Sequence, residues 1–139
     1  MTMTRSIFAL AALPFLALSA PALAQDAIAL PEICTSGMQH GMDAMKSAPM
    51  AGTDKPHQDL MMGMDDMNAQ MMQGMMASDI DVAFVCGMIP HHQGAINMAK
   101  AELAHGDNQW AKDMAQKVID AQEKEIADML AWLNEQPKQ

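Results

Sequence analysis

From about residue 56 onward, apolar side chains recur every three to four positions, the spacing of one buried stripe on an α-helix. Three helices are predicted. The first spans residues 56–77, capped by Thr53 or Asp54. Leu60, Met64, Met67, Met71 and Met75 form its core stripe, while Asp59, Asp66, Gln70 and Gln73 take the opposite face. The second spans residues 79–105, capped by Ser78 or Asp79. Val85, Ile89, His92, Ile96, Ala99 and Leu103 share one face of it. Pro90 has no N–H for the carbonyl four residues back, which predicts a kink there. Gly106 ends this helix. The third spans residues 107–135, with Ala115, Ile119, Gln122, Ile126, Leu130 and Leu133 on its core face and Pro137 beyond its end. The connections at 77–79 and 105–107 are short, so sequential helices run antiparallel. The expected fold is all-α: a small antiparallel bundle of three long helices, with a short fourth available from the N-terminal segment.

Upstream the pattern changes. Residues 26–55 are punctuated by Pro31, Gly37, Gly41, Pro49 and Gly52 and read as a loosely ordered segment, with a short helix over residues 38–47. Residues 1–25 carry Arg5, then an apolar run from Ile7 to Leu18, then Ala22-Leu23-Ala24. That is the layout of a cleavable secretory signal peptide, and the run is too short for a membrane span. The expected organisation is signal peptide 1–25, a flexible Met- and His-containing segment 26–55, and a helical bundle 56–135. The expected location is the periplasm, with no membrane insertion after cleavage.

Charge narrows the partners. Once Arg5 is removed, seven lysines face seventeen acidic residues. Such a chain repels nucleic acid and anionic lipid, and the excess also serves solubility. The two cysteines, Cys34 and Cys86, would meet an oxidising compartment. A bridge between them stabilises by about 4 kcal/mol in the chain-entropy model. The other use of Cys86 is as a soft metal ligand beside Met88. Even pairing is the rule in exported chains and favours the bridge.

Methionine changes the picture most. There are 18 methionines and no tyrosine. Eight of the sixteen residues from Met61 to Met76 are methionine. Core filling accounts for Met64, Met67, Met71 and Met75. It does not account for Met61, Met62, Met72 and Met76, which fall off the stripe. Thioether sulfur is a soft, neutral donor suited to Cu(I), and imidazole takes either copper state. A promiscuous peptide-binding surface is the other use of exposed methionine.

The segment MIPHHQGAINMAK, residues 88–100, adds the nitrogen donors. Adjacent helical residues point about 100° apart. His92 therefore shares the core face with Ile89 and Ile96, and His91 points to the flank. Met88 precedes His92 by one turn, and Met98 follows His91 by two. A buried imidazole needs a hydrogen-bond partner, and this helix has few polar residues to supply one. In the N-terminal segment Met38, His40 and Met42 alternate, a set able to wrap a soft metal or to be incidental to a linker. Glu102 and His105 make one Glu-x-x-His pair, with the carboxyl of Glu125 as a third ligand. Di-iron bundles need that pair twice. No tetrahedral set for zinc is visible.

The stretches DVAFVCGMIPHHQGAINMAKAEL and KDMAQKVIDAQEKEIADMLAWL resemble the family called domain of unknown function 305, from about Gln58 to Leu133. The run from Met88 to Ala99 is its long hallmark. The resemblance implies a ferritin-like four-helix bundle and similarity to periplasmic copper-resistance proteins of the CopM type. It implies Met88, His91, His92 and Met98 as copper ligands.

The expectation is an exported, non-enzymatic copper-binding protein that prefers Cu(I), accepts Cu(II), and sequesters or delivers copper. Met64, Met67 and Met71 would face the main site across the bundle. Met114 and Met129 are secondary ligands, and Met38, His40 and Met42 a second, weaker site. Partners would be copper ions, a copper-exporting or copper-accepting protein, and a second copy of the chain. The rivals are a ferritin-like metal oxidase using Glu102, His105 and Glu125, and a non-metal helical module that binds a partner through exposed methionines.

Overall fold

The computed structural model describes residues 28–35 and 52–137, and all regular structure among them is helical. Helix α1 is a single turn, Glu32–Thr35; α2 is Lys55–Met61; α3 is Met64–Gly74; α4 is Ile80–His105; α5 is Gln109–Asn134. The fold is an all-α bundle centred on α4. Helix α5 packs along one side of α4, and α2 and α3 pack along another. Helix α1 touches both α3 and α4.

The predicted first helix is two helices. Gly63 adopts φ 84°, a left-handed conformation, and Met62 before it is extended at ψ 129°. A left-handed residue breaks the hydrogen-bond ladder, and glycine adopts it without a Cβ clash. Asp54 caps α2 by accepting from the His57 N–H at 3.1 Å, and Pro56 sits in the first turn, where a missing donor costs nothing.

Helix α4 runs unbroken from Ile80 to His105 through Pro90. Asp79 caps it, accepting from the N–H groups of Asp81 and Val82. Helix α5 begins two residues later than predicted, because Asn108 turns back to accept from the Ala111 N–H.

The core is where the α4 and α5 patterns place it. Ile89, Ile96, Ala99, Ala115, Ile119, Ile126 and Leu133 are all buried, and Val85, Leu103 and Leu130 pack against them. The stripe predicted for the first helix is not a core. Leu60, Met64 and Met75 are exposed, and Met67 and Met71 are half-buried. Asp59, assigned to the solvent face, is instead buried at 6% exposure. The cause is close backbone packing between α3 and α4. A Cβ on Gly74 would stand 2.5 Å from the Cys86 carbonyl oxygen, so α3 lies on α4 by its backbone and its long side chains spread to the edges. Pro90 has no N–H to offer that carbonyl, which leaves it open to the approach of Gly74.

Cys34 and Cys86 are disulfide-bonded across a separation of 52 residues, and both are fully buried. Ile28, Leu30 and Ile33 pack against the core beside the bridge, so this part of the segment expected to be loose lies on the bundle. Residues 38–47, with the expected short helix, lie outside the described residues. No helix among the described residues is long and apolar enough to cross a membrane.

Candidate metal centre

Three contacts fix how α3, α4 and α5 align. A Cβ on Gly94 would collide with the Met67 Sδ, one on Gly87 would stand 3.1 Å from Met75 Cγ, and His92 Nε2 lies 2.6 Å from Glu125 Oε2. The first two lay the thioethers of α3 directly on the glycines of α4. The third sets the antiparallel register of α4 and α5. One turn from it, Met129 comes level with Met88.

Residues three or four apart on a helix have Cβ atoms about 5–6 Å apart. Gly94 follows His91 by three residues and precedes Met98 by four. The Met67 sulfur, resting on Gly94, therefore lies over a stretch of α4 that has His91 about one turn to one side and Met98 about one turn to the other. His91 and Met98 are both exposed. Met64 and Met71 stand one turn to either side of Met67 on α3, the former exposed and the latter half-buried. This is one candidate donor set: the imidazole of His91 and up to four sulfurs, those of Met64, Met67, Met71 and Met98, at a partly open seam.

His92 belongs to a second, adjoining set. It points toward α5 and is buried at 9% exposure. Its partner, sought in vain on its own helix, comes from α5 as Glu125. The ring's other nitrogen, Nδ1, is buried and has no hydrogen-bond partner. Met88 is half-buried one turn before His92, and Met129 on α5 is half-buried against the core. The two sets meet at the histidine pair, whose ring centroids are 5.8 Å apart in an edge-on arrangement. The four hallmark residues thus form two neighbouring walls rather than one.

The remaining candidates lie elsewhere. Met114 is exposed near the start of α5, about three turns from the level of Glu125. Met38, His40 and Met42 lie outside the described residues. Among the described residues, no three His, Cys, Asp or Glu side chains gather in a geometry that holds a metal. A site there has to draw on thioether sulfur.

The Glu102, His105 and Glu125 constellation does not assemble. His105 Nε2 pairs with Asp59 Oδ2 at 2.7 Å. His105 and His92, which carries Glu125, are thirteen residues apart on one helix, about 20 Å at 1.5 Å per residue. Asp59 also accepts from Lys55 Nζ at 2.5 Å. The Lys55 ammonium, and then the His105 imidazole, hold the Asp59 carboxyl below the usual carboxylate value. This cluster ties α2 to the end of α4, beside a cavity of about 180 Å³ that Glu102 and His57 help to line. Sequence reasoning missed Asp59. The only signal was its i,i+4 spacing from Lys55.

Among curated proteins, none matches the chain significantly. A family model covers residues 24–133, nearly the whole described region. The chain therefore belongs to the family described as a domain of unknown function, DUF305.

Proposed function

We propose that this protein binds copper, Cu(I) ahead of Cu(II), and sequesters or hands it on outside the cytoplasm. The observation that carries the reading is the Met67 sulfur seated on Gly94, about one turn along α4 from His91 and from Met98. It supports a seam where soft sulfur and imidazole nitrogen from two helices reach one ion. Soft thioether with imidazole is the donor chemistry suited to Cu(I). Thioethers remain usable where free thiolates oxidise. The bridged cysteines favour an oxidising, extracytoplasmic location. The half-exposed ligands fit transfer by ligand exchange, with a copper exporter or acceptor as partner.

The test is a Cu(I) competition titration of the purified protein against a chromophoric chelator, with His91→Ala/His92→Ala and Met67→Leu beside it. The wild type is expected to take copper from the chelator and both variants to lose that ability in large part. Equal, weak competition by all three would overturn the assignment.

A second reading rests on the exposed apolar residues at the α3–α4 corner. Met72, Met76, Ile80 and Phe84 are 46%, 54%, 79% and 65% exposed. An apolar patch of this kind suits a partner helix or peptide. On that reading, replacing both histidines leaves function intact.

A further inference from the structure

The geometry points to Glu125 as a positioning residue that fixes the tautomer of His92, so that Nδ1 is the nitrogen this histidine presents to a soft metal ion. This rests on the copper-binding reading and adds to it a residue and an atom.

A carboxylate only accepts hydrogen bonds. The 2.6 Å contact between Glu125 Oε2 and His92 Nε2 therefore requires the proton on Nε2. In the neutral ring that leaves Nδ1 as a bare lone pair. Nδ1 is buried and has no partner. A lone pair without a partner in a buried site is costly unless something else fills it. Metal-bound histidines characteristically donate their second ring N–H to a carboxylate, which fixes the ring and raises its basicity. Met88 on α4 and Met129 on α5, one turn from His92 and Glu125 respectively, put thioethers on the same side of the bundle. Glu125 reaches in from a surface position, its side chain 58% exposed, so the fold does not depend on its burial.

The competing arrangement is local. Gln122 Oε1, one turn before Glu125 on α5, is also buried without a partner. The opposite tautomer, with the proton on Nδ1, would leave a bare Nε2 facing the Glu125 carboxylate. The two arrangements differ in which nitrogen carries hydrogen, and this is measurable without metal.

Two measurements on the purified protein test the inference. In the first, 15N–1H correlation spectra of the histidine rings are recorded without metal, at a pH of about 8, above the ordinary imidazole range. His92 is expected to show a protonated Nε2 and a bare Nδ1, and Glu125→Ala to lose that bias. In the second, Cu(I) competition compares wild type, Glu125→Ala and Glu125→Gln. Loss of such a carboxylate is expected to weaken binding by about 10–100-fold. Glu125→Gln, whose carbonyl still accepts from Nε2–H, should recover most of the loss. A protonated Nδ1 in the wild type overturns the inference while leaving the copper reading standing. So does undiminished binding by Glu125→Ala. The expected tautomer in a wild type that takes no Cu(I) overturns the copper reading, and the ligand role of Nδ1 with it.

Discussion

Helix α4 meets its two main neighbours with different chemistry. Toward α5 it presents Ile89, Ile96 and Ala99, matched by Ala115, Ile119 and Ile126, all nearly inaccessible to solvent. Toward α3 it presents Gly87 and Gly94, and the neighbour answers with Gly74 backbone and the thioethers of Met67 and Met75. Branched aliphatic side chains interdigitate and bury most of their surface, at about 25 cal/mol per Å². Glycine faces bring backbones close but leave flexible side chains lying across the seam, partly open. The first contact holds the bundle together. The second lays the thioethers of α3 over the glycines of α4 without sealing them away from solvent.

The sharpest way to break this contrast is on the aliphatic side. Ile89→Ala removes a fully buried side chain and is expected to cost about 2–5 kcal/mol, read by chemical denaturation. The Cys34–Cys86 bridge ties down a third side of α4, and its reduction is expected to cost about 2–4 kcal/mol, read as a lower denaturation midpoint in reductant.

On the glycine side the outcome depends on what the new methyl group meets. At Gly74 it meets the Cys86 carbonyl, which is backbone, so Gly74→Ala is expected to part α3 from α4 at about 1–3 kcal/mol. At Gly94 it meets the Met67 side chain, chiefly its Sδ and Cγ, which is flexible and can move aside. There alanine's better helix propensity, about 1 kcal/mol, offsets the clash. Gly94→Ala should leave the thermal midpoint nearly unchanged yet displace the sulfur. Cu(I) affinity should fall by about tenfold, equivalent to about 1.4 kcal/mol, as the same titration reads. If Gly74→Ala and Gly94→Ala behave alike, the backbone-on-backbone account of the seam is wrong.

The gentlest perturbation is acid. The Asp59 carboxyl is held below its ordinary value by Lys55 and His105. A group with a depressed folded-state pKa contributes stability that is present above its unfolded value and is lost as pH falls through the folded one. The α2 attachment should therefore loosen on acidification below the ordinary carboxylate range. Amide exchange in α2 should rise before that in α4 and α5. Asp59→Asn should remove this early step.

Much of α4 and α5 was legible in the sequence. Their stripes are made of Ile, Leu and Ala at helical spacing, and such residues have little to do but be buried. The first helix misled because methionine is apolar, flexible and a good helix former. Its period looks like a core stripe whether or not it is one. Gly63 and Gly74 carried the correction, since one turns the chain and the other invites α4 too close for side chains to fit between.

The sequence by itself determined the helical class, the two long partners and the types of donor atom, because helical periodicity and side-chain chemistry are local properties. Only the tertiary structure decided which atoms meet: Met67 on Gly94, Glu125 on His92, His105 on Asp59, and the two histidines on adjoining walls. The first three of these join residues 27 to 46 positions apart, and no local pattern encodes the crossing of one helix over another. Backbone proximity at the glycines sets it.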